Sequence, residues 1–188
     1  MPMNKLCAIL STVLLGLGGV AYSVTPVATP SSSEFLRKAM QISLSEIELG
    51  KLAGHNARST GINALGSRLA RDHGHIGTMI GLISKDKGVT LPTALDAEHR
   101  AVVERLSAKT GAEFDVAYTE LMVTEHERAI EMFTEATASS DPDLAEFARR
   151  ALPALREQKR LAVSFQKMTE GYAVEKVVAR DGRARLGT

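Results

Sequence analysis

Four polar side chains, Glu46, His73, His126 and Gln158, stand where the core of a helical protein takes apolar residues. His73 follows Asp72 in the stretch LGSRLARDHGHIGTMI (65–80). There Leu65, Leu69, Ile76, Ile80 and Ile83 recur at spacings of three, four and seven, the stripe of an amphipathic helix. Glu46 falls in line with Phe35, Ala39, Ile42, Leu49 and Ala53, and His126 with Met122, Ala129 and Phe133. Gln158 is the polar member of a stripe formed by Ala148, Ala151, Leu155, Ala162 and Phe165.

Burying an unpaired polar group costs about 1 to 3 kcal/mol, so these side chains must face one another or hold something. Neutral imidazole and carboxylate are ligands of first-row divalent metals. Glu46, His73 and His126, with Asp72 or Glu125 beside them, form an acceptable set for Fe, Mn or Zn. The alternative is a self-satisfied network in which Glu46 accepts from one or both imidazoles and Gln158 completes the ring. With two imidazoles only, the ligand count favours the network. A carboxylate beside an imidazole also raises the pKa of the imidazole, which would make such a layer sensitive to pH. Asp72 reads as the flanking partner of His73, and Tyr118, two turns before His126, can aim its hydroxyl at the layer. His75 lies two residues from His73 and points away from it, and His55 and His99 read as surface residues. No arrangement of Ser, His and Asp has the spacing of a nucleophilic triad.

The elements that must position these groups are helices. Ser31 with Glu34 three residues later can form a capping box at the start of the first. Ser59-Thr60-Gly61 breaks the pattern and begins the second, which runs to about Lys87. The turn GVTLP (88–92) precedes a shorter helix over roughly Ala94 to Ala108, whose apolar side is Leu95, Val102, Val103 and Leu106. The third long helix spans about Ala112 to Ser139. Asp141-Pro142 opens the last, which is expected to end near Thr169 and to kink at Pro153. The fold class that follows is all-α: a four-helix bundle with a short helix in the connection between the second and third long helices. Counted from their helix starts, Glu46, His73, His126 and Gln158 lie about 12 to 15 residues in, roughly 18 to 23 Å along each axis. All four are mid-bundle positions whichever way the helices run.

The ends of the chain have a different character. Lys5, the uncharged run from Leu6 to Val20 and the small residues around Ala21-Tyr22-Ser23 have the pattern of an export signal over residues 1–23. A linker rich in Pro and Ser (24–33), the bundle (34–170) and a C-terminal tail expected to be flexible (171–188) follow. The single cysteine, Cys7, lies within the signal, so a mature chain would have no disulfide or thiolate site. Without Lys5 the basic and acidic residues balance at 22 each, which argues against a nucleic-acid groove or a polybasic membrane surface.

The motifs EIELGKLA (46–53), RDH (71–73), GVTLP (88–92), GAEFDVAY (111–118), TEHERA (124–129) and ALPAL (151–155), in that order, resemble the bacterial family catalogued as domain of unknown function 4142. The resemblance covers about Phe35 to Phe165 and implies an exported, ferritin-like helical bundle, often labelled a predicted outer-membrane protein. The family's pattern matches Glu46, Asp72, His73, Phe114, Asp115, Tyr118 and His126. It usually has another histidine after the LeuPro motif, where this chain has Gln158, and that departure lowers the ligand count. The residues three before each histidine are Leu52, Ala70, Asp72, Asp96 and Val123, so the Glu-x-x-His pairs of di-iron bundles are absent and ferroxidase chemistry is not expected. The resemblance implies fold and compartment more than activity; the four polar interruptions at matched depth lead to the expectation of a periplasmic, non-catalytic binding or envelope-stress module. The alternative is a degenerate ferritin-like metal-binding protein or redox metalloenzyme.

Overall fold

Ser31 starts the first helix by accepting the Glu34 amide on its hydroxyl at 3.3 Å, which satisfies one orphan donor of the first turn. The reciprocal half of the capping box is replaced by an ion pair, the Glu34 carboxylate meeting Lys38 at 2.7 Å. The computed structural model describes residues 31–185, with side chains as far as residue 171. The expected export signal, most of the linker and the last three residues of the tail lie outside the described residues. Within them are five helices and no strand: α1 (Ser32–Asn56), α2 (Thr60–Asp86), α3 (Ala97–Ser107), α4 (Gly111–Ala136) and α5 (Pro142–Arg185). The all-α class and the order of four long helices with one short one are those expected from periodicity.

Helix limits differ from the expectation where a side chain or a glycine decides them. α3 begins at Ala97 rather than Ala94 because Asp96 caps it, its carboxylate accepting the His99 amide at 2.9 Å. Only Leu106 of its apolar side is buried, since α3 lies on the outside of the bundle. α5 continues through Gly171 to Arg185 instead of ending near Thr169. The two glycines in this stretch, Gly171 and Gly182, cost a helix only about 1 kcal/mol each, and no proline follows to stop it. Pro153 lies inside α5 on an exposed face, and Arg149, whose carbonyl would otherwise meet its amide, is exposed as well.

α1 and α2 pack as one antiparallel pair, and α4 and α5 as the other. Between the pairs the chain makes a crossover the full length of the bundle. Gly88, at φ 64°, ends α2 while the Val89 amide returns to the Ser84 carbonyl at 2.8 Å. From there the connection climbs along α1. Arg37 donates to the Thr90 carbonyl at 3.2 Å, Gln41 to the Ala94 carbonyl at 3.1 Å, and Asn56 to the Lys109 carbonyl at 2.8 Å. α4 therefore starts where α1 ends and runs parallel to α2.

Both ends of the bundle are tied by buried or half-buried aspartates. At one end Asp141 caps α5 through the Asp143 and Leu144 amides, accepts the Ser32 hydroxyl at 3.0 Å and pairs with Lys87 at 2.7 Å, joining α1, α2 and α5. At the other, buried Asp115 of α4 accepts the Arg58 and Ser59 amides, each at 3.0 Å, and so holds the α1–α2 turn. In the middle, Gly50 and Gly66 let the backbones of α1 and α2 touch. A Cβ on Gly50 would overlap the Gly66 carbonyl oxygen, and one on Gly66 would overlap the Ala53 methyl.

The core falls into two clusters. One gathers Phe35, Leu36, Ile80, Phe133, Leu144, Phe147 and Leu155, and the other Leu49, Ile62, Leu65, Leu69, Phe114, Tyr118 and Met122. On every long helix the polar residue lies between a member of one cluster and a member of the other. Gly66→Ala is expected to lower stability by about 1 to 3 kcal/mol through overpacking. Gly54→Ala, on α1 with open space around it, should raise stability by about 0.5 to 1 kcal/mol, and urea unfolding of the two variants checks the contrast.

Asp141 is held below the ordinary carboxylate range, first by its hydrogen bond from Lys87 and then by those from Ser32 and Leu144. A depressed folded pKa contributes stability above the unfolded value, near 4, and loses it as pH falls through the folded value. Asp141→Asn, which keeps a capping side chain but loses the ion pair with Lys87, should therefore cost up to about 1 kcal/mol at pH 7. The gap to wild type should narrow below about pH 4, read as midpoints of unfolding across a pH series.

Candidate metal centre

The four polar residues meet at mid-height, one from each long helix: Glu46 from α1, His73 from α2, His126 from α4 and Gln158 from α5. All are buried, at 2, 2, 1 and 1 % exposure. One donor atom from each of Glu46, His73 and His126 lies within 4.8 Å of the other two. The imidazole rings stand edge to face, their centroids 6.0 Å apart and inclined by 79°. Glu46 Oε1 is 4.0 Å from His126 Nδ1, beyond hydrogen-bond reach.

A self-satisfied network does not form. Among the described residues, Glu46 Oε2, both nitrogens of His73 and the Tyr118 hydroxyl are buried without a hydrogen-bond partner. His126 is partly engaged: its Nδ1 lies 2.8 Å from the Met122 carbonyl oxygen and its Nε2 3.3 Å from Gln158 Oε1. Gln158 in turn donates its amide Nε2 to Asp72 Oδ2 at 3.2 Å. Asp72, 28 % exposed at its side chain, also faces Arg68 at 3.5 Å and Arg71 at 3.8 Å.

Burial dominates the electrostatics. It pushes the Glu46 carboxyl above its ordinary value, opposed by the charge of His126 and reinforced by that of Glu125. It pushes His73 from 6.5 down to about 3, and the neighbouring His126 adds to the fall. Tyr118 is raised, by burial first and by Glu46 second. His73 is thus a neutral imidazole with both lone-pair and N–H positions unused, the form in which histidine binds metals.

Several sequence expectations are corrected. Asp72 is the partner of Gln158, not of His73, because it lies at the half-exposed edge of α2 while His73 points inward. Glu125 does not join the layer; its carboxylate turns out to Arg128 at 3.2 Å and reaches Glu46 only as a charge. The pKa of His73 moves down rather than up, since desolvation outweighs any carboxylate beside it. Tyr118 is core, stacked on Phe114 at 5.4 Å, and feels the layer only through the charge of Glu46. Of the other histidines, His55 and His75 are exposed and His99 bonds its own cap, Asp96, at 2.8 Å. Periodicity had no means of finding Asp115, whose partners are backbone amides 56 and 57 residues away; the resemblance of its motif was the available signal.

The fold and the centre define an all-α bundle with a buried carboxylate–imidazole cluster at its waist. The chain belongs to the family described as Domain of unknown function (DUF4142), whose model matches residues 21–164 and so includes all four layer residues. Among solved structures it is similar to a DUF305 fragment from Deinococcus radiodurans, with a TM-score of 0.66 at 16 % identity. That match covers 76 % of this chain and 99 % of that one, and shows a shared fold. No curated protein matches the chain.

His73 supplies a pH dependence with a definite sign. Its folded pKa lies below its unfolded value, so its contribution is complete above about 6.5 and is lost as pH falls toward about 3. Metal-free protein should lose stability over that window, by at most about 1.4 kcal/mol per pH unit from this group. His73→Leu should flatten the limb; an unchanged slope in denaturant titrations would assign it to other groups.

Proposed function

We propose that this protein is an exported, envelope-associated binding module of ferritin-like connectivity whose Glu46, His73 and His126 hold one first-row divalent cation, Fe, Mn or Zn. The observation that carries the reading is His73: a buried imidazole with neither nitrogen paired, beside an unpaired carboxylate oxygen and within ligand reach of a second imidazole. Two nitrogens and one carboxylate suit these metals by ligand type. The single long crossover supports the ferritin-like connectivity, and the N-terminal pattern of Lys5 and an uncharged run supports export. No helix among the described residues is long and apolar enough to cross a membrane.

A binding rather than catalytic role is supported by the two apolar clusters on either side of the layer and by the absence of Glu-x-x-His pairs. A cation there would also replace the destabilising environment of three buried polar groups with ligand bonds. Protein made without a His tag should carry about one equivalent of metal by elemental analysis. His73→Ala and His126→Ala should each abolish it. At 100 times the dissociation constant, added metal should stabilise the wild type by about 2.7 kcal/mol. Folded wild-type protein with no metal, and no thermal shift on adding Zn(II), Mn(II) or Fe(II), would sink the proposal.

A further inference from the structure

We infer that the side-chain oxygen of Gln158 is a fourth donor of this centre, aimed by Asp72, so that the cation is held by one residue from each long helix. The inference rests on the cation reading of the cluster. Its starting point is a conflict of lone pairs. With one N–H on the His126 imidazole, the shorter contact takes it: Nδ1 lies 2.8 Å from the Met122 carbonyl oxygen, against 3.3 Å from Nε2 to Gln158 Oε1. Nε2 is then left with its lone pair, 3.3 Å from Gln158 Oε1, which is also an acceptor.

Gln158 cannot relieve the conflict by turning its amide over. Its Nε2 donates to Asp72 Oδ2 at 3.2 Å, and a half-turn would set the amide oxygen against that carboxylate. Asp72 is itself steadied by Arg68 and Arg71. Two donors with facing lone pairs, fixed from behind on both sides, are complementary to a cation between them. The spacing agrees: at metal–ligand bonds of about 2.0 to 2.1 Å, the edge of a tetrahedral site is about 3.3 to 3.4 Å. His126 also has the arrangement of a metal-bound histidine, one nitrogen free for the metal and the other donating to a backbone carbonyl.

The ligand class that follows is a divalent cation accepting two nitrogens and two oxygens in four-coordinate geometry, as Zn(II) or its visible surrogate Co(II) does. Gln158 closes the position that three ligands alone would leave open. Asp72 acts as a positioning residue, since it touches the amide and not the cation.

Titration of the full chain, without a His tag, with Co(II) followed by visible absorption tests the assignment. Wild type should bind one equivalent with the intense bands of a four-coordinate site. Gln158→Leu should bind at least about 10- to 100-fold more weakly with shifted bands, and Asp72→Asn about 10-fold more weakly. Gln158→Glu, which keeps an oxygen donor, should retain the four-coordinate bands. Wild-type bands and affinity in Gln158→Leu would overturn the inference while leaving the three-residue cluster intact. Weakened binding with unchanged bands would also overturn it, by making Gln158 an outer partner of His126. Should Gln158→Leu fail to fold by circular dichroism, loss of the four-coordinate bands in Gln158→Glu overturns it, as does wild-type affinity in Asp72→Asn. No Co(II) binding by wild type overturns both this inference and the cation reading.

Discussion

A plane of polar groups across the waist of an apolar bundle is the constraint on which the rest of this structure depends. It divides the core into two clusters, so neither half has the contiguous burial of an uninterrupted bundle. It also leaves Glu46, His73 and Tyr118 without partners in a low-dielectric interior, where an unmade hydrogen bond is most costly. A sequence could remove the problem by placing Leu or Ile at these positions. A carboxylate and two imidazoles are retained within 4.8 Å of one another at the centre in spite of that cost.

The remainder of the fold keeps the four residues at one height. The register of an antiparallel pair is set by its ends, and here both ends are clamped by carboxylates: Asp141 links α5 to the start of α1 and the end of α2, and Asp115 ties α4 to the opposite turn. Between them Gly50 and Gly66 bring α1 and α2 into backbone contact, a fit that tolerates little sliding. A shift of α1 by one residue would move Glu46 about 1.5 Å along the bundle and swing it about 100° around the axis. The closeness of the three donor atoms is therefore a property of helix ends and glycines more than of the layer itself.

Much of this is legible in the amino-acid sequence. Helical periodicity reports the face and height of a residue, so Glu46, His73, His126 and Gln158 could be placed on one plane and inside the core from spacing alone. Periodicity carries no information about rotamers or partners. Asp72 lies next to His73 in sequence yet bonds Gln158, 86 residues on, because adjacent helical residues point about 100° apart. Glu125 was lost from the layer for the same reason, lying beside His126 but facing Arg128. The network reading assumed that buried groups near one another would pair. Four rigid helices instead hold His126 Nδ1 and Glu46 at 4.0 Å, too far to bond, and that nitrogen meets the Met122 carbonyl of its own helix.

The electrostatics of the centre bear on what kind of guest it suits. Burial raises Glu46 and lowers His73, so in the absence of positive charge both groups are driven toward their neutral forms. An anion would aggravate the carboxylate's position and find only a neutral imidazole to meet it. A cation reverses the balance on both, favouring ionised Glu46 and using the neutral lone pair of His73 as it stands. The three donor atoms lie within 4.8 Å of one another, between the two apolar clusters of the core. The preference of their charges for a cation is independent of the hydrogen-bond conflict at Gln158.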